Sequence, residues 1–128
     1  MFLLDSDTVI DVLRGRARVI DRLARISPDD VSISAITVAE LWLGVLKSGR
    51  SPRRVRATES FIEQTRVLSF DKDAARKHAR IRLEITAQPI GPHDLQIAAT
   101  ALVHDMTLVS SNVREFTRVP GLRVESWR

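Results

Sequence analysis

Acidic side chains lie where predicted strands pass into predicted helices, and this placement favours metal chemistry. Asp5 directly follows a short apolar run, Glu40 lies six residues after a second run, and Asp94 begins an apolar helix. Asn112 and Glu115 follow a later apolar run. The carboxyl ends of parallel strands share one edge of a sheet, which is where ligands bind in open α/β folds. The sequence therefore predicts a single acidic pocket.

Each of these acids also has a simpler structural interpretation. Thr37 and Glu40 have the spacing of a capping box, in which the glutamate bonds the backbone amide of the threonine. Asp94 in a first helical turn complements the helix dipole, and Asp5 and Glu115 lie at positions that favour capping. Taken singly, each acid is better explained as a capping residue. Their recurrence at one edge of the sheet favours a metal site.

A group of converging carboxylates is typical of a site for a hard divalent cation. Close carboxylates repel one another and raise each other's pKa unless a cation neutralises them. Mg²⁺ and Mn²⁺ prefer oxygen ligands, and a bound ion activates water for attack on a phosphate. We expect Asp5, Glu40 and Asp94 to be the principal ligands and the catalytic residues. Asn112 and Glu115 are expected to be auxiliary groups that orient water or a second, weaker ion.

The order of predicted elements indicates one α/β domain spanning residues 1–128. Strands are predicted at 2–4, 31–34, 66–70, 107–110 and, at an edge, 122–125. Helices are predicted at 7–14, 16–26, 38–47, from 53 to about 65, 73–85 and 93–104. The helix at 38–47 is apolar on most sides and is predicted to be buried. Strands that alternate with helices favour right-handed crossovers and a three-layer α/β/α sandwich with a parallel sheet of about five strands.

The composition excludes several kinds of site and indicates a cellular compartment. The chain has no cysteine, so disulfides, thiolate metal sites and cysteine nucleophiles are excluded. No apolar run approaches the roughly 20 residues of a membrane span, so no membrane partner is expected. The first residues lack the features of a signal peptide, and we therefore expect a cytoplasmic protein.

Basic residues are concentrated in two segments, although the net charge is only +4. The segments are 47–56 and 72–82, and the first contains no acid. Such clusters suit a polyanion such as RNA, but long basic side chains also cover solvated helix faces, and both interpretations remain open. Arg53, Arg54 and Arg56 are our candidates for substrate binding, together with Ser6.

Four segments together resemble the motifs of the PIN-domain nucleases, and in particular the VapC-type toxins of bacterial toxin–antitoxin pairs. Residues 3–10 are similar to the opening motif, with Asp5 as its acid. Residues 34–41 and 92–99 resemble the second and third motifs, with Glu40 and Asp94 as their acids. Residues 108–116 resemble the last motif, with Asn112 where many relatives carry Asp, and Asp7 stands where the first motif usually has Asn.

This resemblance implies a fold, an activity and partners. It implies a five-stranded parallel sheet and an Mg²⁺- or Mn²⁺-dependent endoribonuclease, the toxin of a type II toxin–antitoxin pair. It further implies a homodimer that binds a VapB-type antitoxin. Two alternatives belong to other classes. The opening motif also resembles that of haloacid-dehalogenase-type phosphatases, in which Asp5 would be the nucleophile, and the chain could also be a non-catalytic nucleic-acid-binding module.

Overall fold

Five parallel strands form the centre of the molecule in a computed structural model that describes residues 1–128. The strands are β1 (Phe2–Leu4), β2 (Val31–Ser34), β3 (Arg66–Leu68), β4 (Thr107–Val109) and β5 (Val124–Glu125). Their order across the sheet is β3-β2-β1-β4-β5, and every neighbouring pair is parallel. All five predicted strands are present, although the last three are shorter than predicted.

Helices cover both faces of the sheet, which confirms the predicted three-layer architecture. They are α1 (Ser6–Leu13), α2 (Ala17–Ala24), α3 (Ala35–Lys47), α4 (Pro52–Glu63), α5 (Lys72–Glu84), α6 (Pro92–Val103) and α7 (Val113–Phe116), with a 3₁₀ turn at Pro28–Asp30. No helix is both long and apolar enough to cross a membrane.

The alternation of side chains along each strand divides the core into two clusters. Leu3 and Leu108 point into a cluster built mainly with α5 and α6. Leu4 and Val109, the next residues on the same strands, point into a second cluster that contains residues of α1, α2 and α3. All four leucine and valine side chains are fully buried, as expected for a parallel sheet covered on both faces.

Helix α3 begins earlier than the sequence pattern predicts. Its N-cap is Ser34, the last residue of β2, whose hydroxyl accepts the backbone N–H of Thr37 at 3.1 Å. The predicted start near residue 38 and the capping box of Thr37 and Glu40 are therefore wrong. Strand β2 runs directly into α3 without a loop, so Glu40 lies within the second turn, and its carboxylate is not used as a cap.

The predicted full burial of α3 is also wrong. Leu41 and Val45 are buried on the face that packs against the domain, but Leu43 and Leu46 are each 51% exposed. A helix in the outer layer of a sandwich buries only the stripe that faces the sheet, whatever the composition of its other side. The outer side of α3 therefore carries apolar side chains that the rest of this chain leaves about half exposed.

The last two residues hold the carboxyl terminus against α1. The guanidinium of Arg128 donates to both carboxylate oxygens of buried Asp11, at 2.7 and 3.2 Å, and Arg16 lies 3.4 Å from the same carboxylate. Trp127 is 5% exposed and packs edge-on against Phe2 of β1. The hydrogen bond from Arg128 is the largest influence that holds the pKa of Asp11 below its ordinary value. The terminus is therefore part of the folded core.

We expect Arg128→Ala to lower the melting temperature by a few degrees at neutral pH, because it leaves a buried carboxylate with a single, more distant cation. Since folding lowers the pKa of Asp11, this stabilisation is present above the ordinary value of 3.8 and is lost as the pH falls below it. Thermal melts from pH 3 to pH 7 should show the difference shrinking in acid. Arg80→Ala on exposed α5 is the control, and an equal loss there would contradict the assignment.

Candidate metal centre

Asp5 lies at the junction between the central strand β1 and helix α1. Its carboxylate caps α1 by accepting the backbone N–H of Ser6 at 2.8 Å, and it also accepts the hydroxyl of Ser110 at 2.9 Å. The side chain is 6% exposed, and burial, followed by the negative charge of Asp7, raises the pKa of Asp5 to about 7. Capping and site formation therefore involve the same residue, so the two interpretations of Asp5 do not exclude each other.

Glu40 reaches the same edge of the sheet from α3. Its Oε2 accepts the hydroxyl of Ser6 at 3.4 Å, whereas its Oε1 is buried and has no hydrogen-bond partner. Burial and the charge of Asp94 raise the pKa of Glu40, against a lowering influence of His93. A buried carboxylate oxygen without a hydrogen-bond donor destabilises the fold, so this atom is free to coordinate a cation.

Asp94 lies in the first turn of α6, whose amino terminus faces this edge. Burial raises its pKa first, followed by the charges of Glu115 and Asp7. Glu115 in turn accepts the side-chain amide of Asn112 at 2.9 Å. The predicted residues Asp5, Glu40, Asp94, Asn112 and Glu115 are thus brought to one region by separate elements.

Two serines and one further acid also lie in this region, although none of them was predicted as a site residue from the sequence. Asp7 accepts the backbone N–H of Ser111 at 3.0 Å and also the hydroxyl of Ser111. Ser110 is fully buried, and its hydroxyl donates to Asp5. The signal was available, because two adjacent serines directly after a buried strand place hydroxyl donors at the acidic edge.

The residues present fit a hard divalent cation by their chemistry. The donors are carboxylate, amide and hydroxyl oxygens, the set that Mg²⁺ and Mn²⁺ prefer, and the unpartnered Oε1 of Glu40 is among them. No three acidic or histidine groups already surround one point closely enough to hold a metal ion together. Coordination therefore requires some carboxylates to turn from their present hydrogen bonds.

A groove of about 710 Å³ extends from Glu40 between α1, α3 and α4. Arg53 and Arg54 line it together with Lys47, whereas Arg56 does not. Apolar side chains complete the lining: Ile10, Leu13, Leu41, Val45 and Ala57. The structure therefore joins two of the three arginines predicted for substrate binding to the acidic site. The second basic cluster lies on α5, outside this groove.

The histidines are not central to this arrangement. His93 is exposed beside the acids and lines a smaller groove next to Glu40. His78 packs edge-on against Phe70, and burial lowers its pKa. His104 is exposed at the end of α6. The acids are therefore the groups available for chemistry in this region.

Comparison with known proteins identifies close relatives over nearly the whole chain. Residues 2–122 match the PIN domain. The tRNA(fMet)-specific endonuclease VapC of Salmonella typhimurium is 35% identical over 128 residues, which cover 98% of this chain and 97% of that protein. Ribonuclease VapC2 of Haemophilus influenzae is also 35% identical, with the same coverage.

A solved structure gives the same result for the fold. A chain in the crystal structure of DNA-bound VapBC from Salmonella typhimurium superposes with a TM-score of 0.92 at 35% identity. The superposition covers 99% of this chain and 98% of that chain. The similarity therefore includes every element that positions the acids.

The raised pKa of Asp5 leads to a prediction for the metal-free protein. An acid whose pKa rises on folding, here from 3.8 to about 7, destabilises the fold as the pH increases through that interval. Asp5→Asn removes this charge, so in excess chelator at pH 8 it should melt several degrees above the parent. The linkage is at most about 4 kcal/mol, at about 1.36 kcal/mol per pKa unit.

Differential scanning calorimetry in chelator at pH 4 and pH 8 measures the effect. The advantage of Asp5→Asn should be small at pH 4, where the parent carboxyl is protonated in the folded state and only partly ionised in the unfolded state. Asp29→Asn, at an exposed position in the 3₁₀ turn, is the matched control. A variant that melts below the parent at pH 8 would show that the ionised carboxylate stabilises the metal-free fold.

Proposed function

Because this chain belongs to the PIN-domain family, we propose that it is a VapC-type endoribonuclease, the toxin of a type II toxin–antitoxin pair. It hydrolyses RNA phosphodiester bonds with Mg²⁺ or Mn²⁺. The observation that carries the proposal is the grouping of Asp5, Glu40 and Asp94 at one sheet edge, where burial raises the pKa of each and the charge of Asp94 further raises that of Asp5 and of Glu40. Grouped carboxylates suit a metal-dependent ribonuclease, and this chain resembles VapC ribonucleases along its length.

Asp5, Glu40 and Asp94 would hold the metal. When bound, the ion lowers the pKa of a water molecule and stabilises negative charge on the phosphate. The hydroxyls of Ser110 and Ser6 orient the carboxylates of Asp5 and Glu40, respectively, through the hydrogen bonds described above. Asn112 and Glu115, which are hydrogen-bonded to each other, are auxiliary groups that orient water or a second, weaker ion. Ser6 also lies close enough to this edge to contact the substrate.

The groove beside Glu40 is the proposed path of the RNA backbone. Arg53 and Arg54 place positive charge along the groove that ends at the acids, and phosphate contacts dominate the affinity of proteins for nucleic acids. Arg56 is exposed on the same helix and contributes only long-range attraction. In this arrangement the arginines attract the RNA phosphates towards the acids. Without a bound cation, the acids repel those phosphates.

Membership of the PIN-domain family favours a nuclease over the haloacid-dehalogenase-type phosphatase. Asp5 is nearly fully buried and is used as a helix cap, whereas a nucleophilic carboxylate must approach the substrate directly. A non-catalytic binding module is disfavoured because it has no need for raised carboxylate pKa values. No observation on the molecule favours either alternative.

The partners of the protein are proposed from its apolar surface. On α3, Leu41 and Val45 are buried and Trp42 is half-buried, so the chain itself covers these apolar residues. The exposed apolar residues instead include Leu43 and Leu46 of α3 and, on α5, Leu83, which is 76% exposed. A homodimer that binds a VapB-type antitoxin would cover such surface, since soluble proteins seldom expose large apolar side chains in groups.

We predict that Asp5→Asn, Glu40→Gln and Asp94→Asn each reduce RNA cleavage by several orders of magnitude while the protein remains folded. Cleavage of a labelled RNA in Mg²⁺ and in excess chelator measures this. Metal should also stabilise the parent, by about 2.7 kcal/mol at a hundredfold excess over its dissociation constant, and Asp94→Asn much less. Parent activity that persists in excess chelator would refute the metal-dependent mechanism.

We predict that replacing Arg53 and Arg54 by Ala weakens RNA binding and flattens its salt dependence. Each lost phosphate contact changes the slope of log affinity against log salt by roughly one unit. Filter binding in chelator, across a salt series, measures the slope without cleavage. Arg56→Ala, just outside the groove on the same helix, is the matched control and should change the slope less. Equal slopes in all variants would assign these arginines to a solvated helix face.

A further inference from the structure

We propose that Asp7 supplies the fourth carboxylate of the divalent-cation site, although the family resemblance places a neutral residue at this position. This inference rests on the proposed function, because it concerns the same metal. Asp7 is in the first turn of α1, two residues after Asp5. It adds charge to the site from the helix that Asp5 caps.

The hydrogen bonds of Asp7 place its carboxylate beside that of Asp5. The hydroxyl of Ser110 donates to Asp5 Oδ2 at 2.9 Å and lies 3.5 Å from Asp7 Oδ2. One hydroxyl group therefore lies between the two carboxylates. The backbone N–H of Ser111 fixes Asp7 Oδ2 at 3.0 Å. Helix α1 and the segment after β4 thus hold Asp7 at the carboxyl edge of two adjacent strands, β1 and β4.

Asp7 is also the acid that acts on all three principal ligands. Its negative charge contributes to the raised pKa of Asp5, of Glu40 and of Asp94. Glu115 contributes to that of Asp94 alone. Asp7 therefore adds its negative charge to the same group of carboxylates. A cation bound there is attracted by four carboxylates.

The other residues near the end of β4 are less suited to this role. Asn112 is neutral, and its side-chain amide donates to Glu115, so one carboxylate oxygen of Glu115 is already hydrogen-bonded within this pair. Asp7 is not needed to cap α1, because Asp5 already accepts the backbone N–H of Ser6. A purely structural role remains as the competing explanation, in which Asp7 fastens the segment at Ser111 to α1.

Titration of Mn²⁺ into the metal-free protein, followed by calorimetry, separates the two roles without any measurement of cleavage. We expect Asp7→Asn to bind Mn²⁺ at least about tenfold more weakly, because one negative charge a few ångström from a divalent ion is worth that much in a partly solvated site. In chelator the variant should melt no lower than the parent, since it loses a repelling charge and keeps an oxygen that accepts the N–H of Ser111. Asp21→Asn, on exposed α2, is the charge-matched control.

The structural role predicts the reverse, with a lower melting temperature in chelator and unchanged Mn²⁺ affinity, and that result would overturn the proposal. Asp7→Ser gives a second neutral variant should Asp7→Asn not fold, and Asp7→Glu retains the charge. Weaker binding by the neutral variants, with affinity near that of the parent for Asp7→Glu, supports the assignment. A parent that binds no Mn²⁺ would refute the proposed function itself, whereas a parent and Asp7→Asn that bind equally refute only the role of Asp7.

Discussion

Repulsion among buried carboxylates at one edge of the sheet is the constraint around which the rest of this structure is arranged. Asp5 is nearly excluded from water and faces Asp7 and Asp94, so its ionised form is disfavoured in the fold. The chain offsets part of that cost with hydroxyl and amide donors and with helix amino termini. What remains is repulsion among the carboxylates, which a counter-charge from outside the chain would relieve.

The strand order explains why so many acids can meet at this edge. From β1 the chain builds outwards through β2 and β3, and then returns to the other side of β1 for β4 and β5. The reversal leaves a crevice at the carboxyl end of β1, the usual position of a ligand in open α/β sheets. Asp5 lies at the end of the strand where the order reverses, with α3 on one side and the segment after β4 on the other.

Much of this arrangement could be predicted from the sequence, and the exceptions have physical causes. Buried parallel strands appear as short apolar runs, so β1, β2 and β4 and the acids after them could be predicted from pattern. The start of α3 was not, because Ser34 ends a strand and caps a helix in the same step. The exposure of Leu43 and Leu46 depends on which helix face meets the sheet, and composition does not contain that information. Asp7 and Ser111 are 104 positions apart, so only the folded chain reveals their contact.

The contact between Asp11 and Arg128 also has a consequence for when the fold can form during synthesis on the ribosome. Asp11 and Arg128 are 117 positions apart, so the helix that follows Asp5 lacks this counter-ion until Arg128 has been synthesised. Central strand β1 likewise waits for β4, which is synthesised after four-fifths of the chain. Since contacts between distant parts of a chain form late, the acidic edge is assembled only after β4 and the serines that follow it have been synthesised. Until then Asp5 and Asp7 lack the hydrogen-bond donors of Ser110 and Ser111, so the acidic edge is incomplete while the chain before β4 is being made.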